Sequence, residues 1–339
     1  MKARKSEKTG HKPAISVIVC TYNRKKLLEK NLESLSAQTL DKKLFEVVLI
    51  DDGSTDGSAQ VAESFSGRIP LRYFRQQNSG LSSARNHGLF ASRGDIVFFF
   101  DDDDTAAPKL LEEHLKAHRQ HPDENAAVLN HTSWHPDLKI TPLMHFITEV
   151  GCFLFDYTSV QQKAAPDYTY FWGGRISCKR SLLLKHGIFR PDIRIHYEDI
   201  ELGYRLACRA GLKVIHHPPA LSFMARAVSF DDFCRRMIIQ GRSACLFAKI
   251  HNCPEVRQYC ETDQALERWE KIAPQYVARV RAARELDRFA TLKNDLDTGL
   301  DDDTRRLLYQ SYQWVFRASK LKGIIEALKS ENEGRRAAG

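Results

Sequence analysis

The sequence predicts an α/β fold in which a mostly parallel central sheet is flanked by helices and followed by a helical C-terminal extension. Short apolar runs rich in β-branched and aromatic residues alternate with segments whose apolar residues recur at helical spacing. This alternation favours parallel strands joined by right-handed crossovers. Beyond residue 230 only helical patterns remain, with many Arg and Lys residues.

Each predicted strand of the first part is followed by a polar loop and then by a helix. Val61 and Phe65 give a short helix its apolar face, and Ala84, Gly88 and Ala91 are small enough to let the next helix lie close to the sheet. We predict strands at 15–20, 45–50, 71–74 and 96–100, a further strand at 126–130, short ones near 175–178 and 214–215, and helices at 25–37, after Pro108, at 180–186 and at 196–210.

The fourth strand runs into four consecutive aspartates, Asp101–Asp104. The carboxyl ends of parallel strands meet at one edge of a sheet, where open α/β folds bind ligands. Four adjacent carboxylates repel one another unless a cation neutralises them, and hard ions such as Mg²⁺ or Mn²⁺ prefer oxygen ligands. The run therefore indicates either a divalent cation site or, as the alternative, a solvated acidic turn.

Composition limits the classes of function. The 339 residues fit one large domain or about two, and 42% hydrophobic residues suffice for a core. Half of the net charge of +8 lies in the basic segment 1–13, predicted to be disordered, and the rest of the chain is only mildly basic, so a nucleic-acid partner is not expected. Eight cysteines without C-x-x-C spacing, and no signal or membrane-spanning pattern, favour a cytoplasmic protein.

The pattern divides the chain into an α/β domain at 14–229, with a nucleotide half at 14–130, where the strand-end loops converge, and a second half at 131–229, a helical extension at 230–330 and a disordered tail at 331–339. The basic amphipathic faces of the extension are suited either to the inner surface of a membrane, as a peripheral contact, or to packing within the protein.

Five motifs in order resemble glycosyltransferase family 2 over about residues 14–225. They are Thr21-Tyr-Asn-Arg24, Asp51-Asp-Gly-Ser-Thr-Asp56, Gly80-x-x-x-Ala-Arg-Asn86, Asp101-x-Asp103-Asp104 with Pro108, and Glu198-Asp199. The resemblance implies a GT-A fold with a Rossmann-like sheet and an inverting transferase that uses a nucleotide sugar, with a UDP-sugar as the usual donor and polysaccharide biosynthesis as a setting.

On the donor side, the resemblance implies that Asp103 and Asp101 of the DXD motif hold Mn²⁺ or Mg²⁺ on the diphosphate. Asp52 would accept hydrogen bonds from the nucleobase, and Arg85 would offset phosphate charge or, alternatively, form a structural ion pair. The remaining residues expected at the nucleotide sugar are Thr21, Tyr22, Asn23, Arg24, Gly80, Asn86 and Asp102.

On the acceptor side, the resemblance makes Asp199, next to Glu198, the base that deprotonates an acceptor hydroxyl. Taken alone, these acids also fit the first turn of a helix. The stretch from Trp172 through Gly173 and Gly174 to Arg175 resembles the acceptor loop of the family, with core packing as the alternative for Trp172. The acceptor would be a glycan, a lipid-linked glycan or another hydroxyl compound.

The chain departs from the family pattern at Met224, where many relatives have a histidine near the metal. Another feature is the helical spacing of His114, His118 and His121, which we interpret as a polar helix face because no nearby acid or cysteine completes a zinc site. Two other functions fit the motifs less well, namely a retaining transferase or nucleotidyltransferase, and an inactive sugar-nucleotide-binding scaffold protein.

Overall fold

The computed structural model describes residues 12–162 and 166–338, and the chain divides into two compact units. The first unit comprises Met1–His135, Lys163–Pro191 and Leu202–Arg226. The second comprises Pro136–Gln162, Asp192–Glu201 and Ala227–Gly339. Most of the segment predicted to be a disordered N-terminal tail, residues 1–11, lies outside the described residues.

The first unit is built on a mixed sheet. Its strand order is β3-β2-β1-β4-β7-β6-β8-β5. Within the described residues the strands are β1 (Ile15–Thr21), β2 (Phe45–Asp51), β3 (Leu71–Arg75), β4 (Ile96–Asp101), β5 (Asp104–Ala106), β6 (Ala126–Trp134), β7 (Arg175–Lys179) and β8 (Lys213–Met224).

The helices in chain order are α1 (Lys25–Ser36), α2 (Ser58–Ser64), α3 (Leu81–Ala91), α4 (Leu110–Gln120), α5 (Pro142–His145), α6 (Tyr157–Gln162), α7 (Arg180–His186), α8 (Glu198–Ala210), α9 (Phe230–Ile250), α10 (Pro254–Cys260), α11 (Ala265–Asp295) and α12 (Asp302–Ala338). A π-helical turn, Phe146–Val150, follows α5, and a 3₁₀ turn, Tyr168–Tyr170, precedes β7. The predicted α/β fold with a helical C-terminal region is therefore confirmed.

The first four strands, β1 to β4, pair in parallel, as predicted, whereas β7 runs antiparallel to β4 and β6, and β5 runs antiparallel to β8. No crossover helix separates β4 from β5, since only Asp102 and Asp103 connect them. The prediction of a brief strand at 214–215 was wrong in length, because β8 extends through the two prolines to Met224. Those prolines coincide with the register shift in its pairing with β6, where a missing N–H is tolerated.

The core of the first unit lies where the leucines of α1 meet the sheet. Leu28, Leu32 and Leu35 are fully buried against strand residues that include Val17 and Val47. On the other face, α3 lies close to β1, because a Cβ added at Gly88 would collide with the side chain of Ile18. The close approach predicted from the small residues of α3 is thus confirmed.

Helix α4 differs in two ways from its prediction. It begins at Leu110, so Pro108 lies before the helix rather than in its first turn. The histidines at 114 and 118 are buried rather than on a polar face. Nδ1 of His114 and Nε2 of His118 each lie 2.8 Å from the hydroxyl of Ser177 on β7.

The second unit is helical, and its centre is a cluster of aromatic rings. Phe316 on α12 contacts Phe233 on α9, with ring centroids 4.7 Å apart, and stacks on Tyr312 at 5.6 Å. Helix α12 continues to Ala338, through the segment 331–338 that was expected to be a disordered tail; its Glu, Arg and Ala residues are strong helix formers. Within the described residues, we find no helix that is long and apolar enough to cross a membrane.

Candidate active site

The aspartate quartet forms a buried turn between two strands. Asp101 ends β4, Asp102 and Asp103 make the turn, and Asp104 begins β5. Asp102, Asp103 and Asp104 are at most 5% exposed. The alternative of a solvated acidic turn is therefore excluded, and burying three adjacent carboxylates requires positive charge beside them.

Two arginines supply that charge at the turn itself. Arg24, which follows β1, donates from Nη1 to Asp102 at 2.8 Å and to Asp103 at 3.3 Å. Arg226, two residues beyond β8, donates from Nε to Asp103 at 2.6 Å. Burial would raise the pKa of Asp103, but Arg226 and Arg24 together hold it below its usual value. Asp103 is therefore ionised at neutral pH.

Two further arginines contact the ends of the run. Arg85 on α3 donates to Asp101 at 3.1 Å. Arg175 on β7 donates to Asp104 at 2.9 Å and reaches Asp101 at 3.5 Å. Burial raises the pKa of Asp104 even though Arg175 opposes the shift.

Gly174 allows this arrangement to form. A Cβ at that position would overlap the carboxylate of Asp101, and the Gly174 carbonyl accepts the backbone N–H of Asp101 at 3.3 Å. Glycine permits such a close approach because it has no Cβ. In the described residues the group that Gly174 approaches is Asp101, while Gly173 is buried beside it.

Asp52 organises the loop that leads into α3. Its Oδ1 accepts from the Ser79 backbone N–H at 2.9 Å and from Gln76 at 2.7 Å, and its Oδ2 accepts from the Gly80 N–H at 2.9 Å. Gly80 has a φ of 90°, which favours glycine. These bonds fix the first turn of α3 against the end of β2.

The loop after β1 lies beside the loop after β2, as the sheet topology predicted. The Asn23 side-chain oxygen accepts the N–H of Thr55 at 2.8 Å, and the backbone N–H of Asn23 donates to the Ser54 hydroxyl at 2.9 Å. The ring of Tyr22 is 49% exposed. Thr21 is buried at the end of β1, and its carbonyl accepts the N–H of Asp52 at 2.9 Å. Tyr22 is thus the side chain of this loop that can meet a planar ligand.

Asn86 and Trp172 make contacts within the first unit. The Asn86 side chain donates to the Phe189 carbonyl at 2.8 Å and accepts the Phe189 N–H at 3.0 Å. The indole N–H of Trp172 donates to the Thr169 carbonyl at 3.0 Å, and its ring lies 5.7 Å from that of Tyr170. Asn86 is therefore engaged on both ends of its amide, whereas Trp172 is half-buried with part of its ring accessible.

Glu198 and Asp199 begin helix α8 and belong to the second unit. The two residues before them, His196 and Tyr197, have φ angles of 58° and 64°, a left-handed conformation that non-glycine residues rarely adopt. Asp199 is partly buried, and its Oδ1 accepts the N–H of Ile200 at 2.8 Å. Strained backbone of this kind is often retained at functional sites.

The aspartate quartet offers carboxylate oxygens to a divalent cation, although the described side chains do not form a complete set of ligands. Among the described residues, no group of three or more His, Cys, Asp or Glu side chains is arranged to hold a metal ion. However, Oδ2 of Asp102 and Oδ2 of Asp104 are buried without a hydrogen-bond partner in the described structure. Mg²⁺ is commonly bound through one or two carboxylates and the phosphates of a substrate, so the donor set is suitable for a metal–diphosphate complex.

Arg226 is the main residue that sequence reasoning missed. It lies two positions after Met224, which is buried and pairs with Asp104 across β8 and β5. The position that is a histidine in many relatives therefore faces the core, and the cation nearby is contributed by Arg226. The sequence signal for Arg226 is a basic residue just past the end of a strand. The sequence pattern predicts a strand only at 214–215, which ends too early to point to Arg226.

The chain resembles known transferases in sequence. The sequence profile of Glycosyl transferase family 2 matches residues 16–183. Validoxylamine A glucosyltransferase of Streptomyces hygroscopicus subsp. limoneus is 31% identical over 225 residues, covering 58% of this chain and 49% of that protein. The chain thus spans about half the length of this relative. The uncharacterized glycosyltransferase YfnE of Bacillus subtilis is 42% identical over 114 residues, covering 33% of this chain and 28% of that protein.

Solved structures show the same fold. The mannosyltransferase PcManGT from Pyrobaculum calidifontis, in complex with GDP-Man and Mn²⁺, matches with a TM-score of 0.61 at 19% identity, covering 93% of this chain and 87% of that one. S. aureus TarS 1–349 matches with a TM-score of 0.52 at 20% identity, covering 94% and 91%. The GT-A fold is confirmed, and the segment 16–183 of the chain belongs to glycosyl transferase family 2.

Proposed function

We propose that the protein transfers a sugar from a nucleotide-diphosphate sugar, in particular a UDP-sugar, to a hydroxyl group of a glycan, lipid-linked or similar acceptor. The observation that carries this proposal is the buried aspartate quartet, held by Arg24, Arg85, Arg175 and Arg226 at the carboxyl edge of the parallel strands. Carboxylates and guanidinium groups in one place suit a metal-bound diphosphate, because they bind the cation and the phosphate oxygens respectively.

In this proposal Asp101 and Asp103 hold Mn²⁺ or Mg²⁺, and Asp102 contacts the donor. When bound, the ion would act as a Lewis acid on the departing diphosphate. Two neighbours in fold were crystallised with donors, PcManGT with GDP-Man and TarS with UDP-GlcNAc, which supports a nucleotide-sugar donor of some kind.

The arginines take two roles in the reaction. Before the donor binds, they neutralise the carboxylates. When the diphosphate is present, the planar guanidinium of Arg24 or Arg226 can donate to phosphate oxygens while it stays close to Asp103. Asp52 and the exposed Tyr22 would contact the nucleobase, the former by accepting an N–H and the latter by stacking.

On the acceptor side, Asp199 takes the proton of the attacking hydroxyl. The hydroxyl oxygen bonds to the anomeric carbon as the bond from that carbon to the diphosphate oxygen breaks, and the electron pair leaves with the diphosphate. A single displacement of this kind inverts the anomeric centre. Trp172 would stack on a sugar ring of the acceptor.

The direct test is incubation of the full chain with Mn²⁺ and a panel of nucleotide sugars and acceptors, with nucleotide release as the readout. We expect release with at least one UDP-sugar, and NMR of the product should show an inverted anomeric linkage. A product with a retained linkage would contradict the single displacement, and release of pyrophosphate instead would indicate nucleotidyl transfer.

Asp199→Asn tests the catalytic base. A general base typically contributes about 10²- to 10⁴-fold, so we expect turnover to fall by that factor while the donor still binds. Asp302→Asn is a matched control, because Asp302 is an exposed acid in the first turn of α12. If both variants turned over at the wild-type rate, Asp199 would be no more than an ordinary first-turn helix acid.

A further inference from the structure

The second unit contains a cleft that the proposed function does not use. It has a volume of about 760 Å³ and is lined by α11, α12 and the π-helical turn. This volume lies within the range of small-molecule sites in proteins, about 300–1,000 Å³. All of its lining residues belong to the second unit.

The floor of the cleft is apolar. Phe146 and Val150 contribute from the π-helical turn, Ile272 from α11, and Trp314 and Leu321 from α12. One face of the Trp314 indole is covered by the guanidinium of Arg279, 4.6 Å from the ring centroid, which fixes the orientation of the ring. These five side chains are aliphatic or aromatic, and such a surface is suited to a hydrocarbon chain.

Four cations line the same cleft, namely Arg268, Lys271, Arg306 and Arg317, and no acidic residue is among the described residues that line it. Lys271 and Arg306 have acidic partners outside the lining, at 2.6 Å and 3.3 Å. Both pairs are exposed, so each contributes little and is easily exchanged for another anion.

The other two cations donate to uncharged groups. Arg268 donates to the Glu261 carbonyl at 3.5 Å. Arg317 donates to the Gln313 amide oxygen at 2.8 Å once that amide is oriented to accept. The cleft therefore carries a positive charge that its own side chains do not cancel, above an apolar floor.

We propose that this cleft binds a phosphate-bearing membrane lipid, with the phosphate among the four cations and the hydrocarbon chain on the apolar floor. A free phosphate would leave the floor exposed to water, and an uncharged amphiphile would bring no negative charge to the four cations. Only an amphiphile with an anionic head complements both parts. Such a site would attach the second unit to a lipid without any spanning helix, and it does not depend on the proposed transfer reaction.

The probe for the test is monomeric dodecyl phosphate, titrated into the full chain by calorimetry below its micellar concentration. Inorganic phosphate and dodecyl maltoside serve as probes of the head and the chain alone. We expect saturable binding of dodecyl phosphate and at least about tenfold weaker binding of the other two, since each lost group of contacts is worth about 1.4 kcal/mol or more.

Matched variants locate the site. Lys271→Gln combined with Arg306→Gln removes two lining cations, and should weaken dodecyl phosphate binding by about tenfold or more. The control combines Arg288→Gln with Arg305→Gln, two exposed arginines that also pair with an acid three residues earlier but do not line the cleft. The control should bind as the wild type does.

A third variant, Trp314→Ala, removes part of the floor and should weaken dodecyl phosphate without changing the weak binding of inorganic phosphate. The proposal is overturned if the control pair weakens binding as much as the lining pair. It is equally overturned if inorganic phosphate or dodecyl maltoside binds as tightly as dodecyl phosphate. Circular dichroism of each variant verifies that it is folded, so that a loss of binding reports on the cleft.

Discussion

At the scale of single residues, the site depends on how charges are paired rather than on which acids are present. Asp103 is buried, yet it is kept ionised by Arg24 and Arg226. Asp101 is placed by Gly174 and held by Arg85 and Arg175. Removing one arginine from such a group leaves a buried carboxylate without its partner, which is the costly case for buried ion pairs.

Arg226→Gln should therefore reduce kcat/KM by about 10- to 100-fold, equivalent to about 1.4–2.7 kcal/mol in the transition state. The reason is that Asp103 loses its closest cation and the diphosphate loses a donor. Steady-state kinetics with the active nucleotide sugar measures the change. Arg235→Gln is the control, because Arg235 also pairs with an aspartate but is exposed on α9. Equal kinetics for both variants would remove Arg226 from the site.

The buried histidines of α4 lead to a prediction about pH and stability. His118 lies between the Ser177 hydroxyl and the Lys179 ammonium, each at 2.8 Å, and burial together with Lys179 lowers its pKa to about 3. Since Lys179 can only donate, Nδ1 of His118 accepts and Nε2 carries the proton. The ring is therefore neutral in the folded chain, and protonation favours unfolding.

The direction of the change in unfolding free energy with pH follows from proton binding at His118. The unfolded chain binds a proton at His118 below a pKa of about 6.5, whereas the folded chain does not until about 3. The free energy of unfolding should fall as the pH decreases from about 6.5, by up to about 1.4 kcal/mol per pH unit for this residue. Urea unfolding at several pH values measures the slope. His118→Gln should show a shallower slope, and an unchanged slope would contradict the assignment.

At the scale of secondary-structure elements, glycines set the distance between packed helices and strands. Gly88 brings α3 onto β1, and Gly241 and Gly323 do the same for α9 and α12 in the second unit. A Cβ at Gly241 would collide with the Lys320 carbonyl, and one at Gly323 with the Ile238 carbonyl. The obstacles are backbone atoms in regular helices, so local adjustment of a side chain cannot relieve the overlap.

Gly323→Ala should accordingly lower the free energy of unfolding by about 1–3 kcal/mol or more, although alanine is the better helix former. Thermal unfolding followed by circular dichroism is the measurement. Ile239→Ala on α9 is a suitable control because its side chain is 36% exposed and a smaller effect is expected there. A Gly323→Ala variant as stable as the wild type would show that the two helices can separate without cost.

At the scale of the whole molecule, the proposed donor should stabilise the protein only when a divalent cation is present. A ligand at about 100 times its Kd adds about 2.7 kcal/mol to the free energy of unfolding. UDP with Mn²⁺ should thus raise the Tm by several degrees, and addition of EDTA should reverse the rise. The same increase in EDTA would mean that the arginines alone bind the diphosphate and that the carboxylates do not need a metal ion.

Much of the architecture could be predicted from local patterns. The runs 15–20, 45–50 and 96–100 are strands within a residue or so, because continuous β-branched and aromatic runs are typical of buried parallel strands. The leucine spacing of α1 and the change to helices after residue 230 are also confirmed. By contrast, β5, the full length of β8 and the antiparallel direction of β7 depend on pairing between distant segments, which local patterns do not encode.

By itself, the sequence determined the order of the strands and helices in the nucleotide half, the edge where the loops meet and the identity of the acids that gather there. Only the tertiary structure decided that the aspartate quartet is buried, that Arg175 and Arg226 lie against it, and that Met224 faces the core. The physical reason is that a carboxylate's burial and partners are set by residues far away in the chain. Arg226 is more than 120 residues from Asp103, and their contact of 2.6 Å exists only after the sheet has formed.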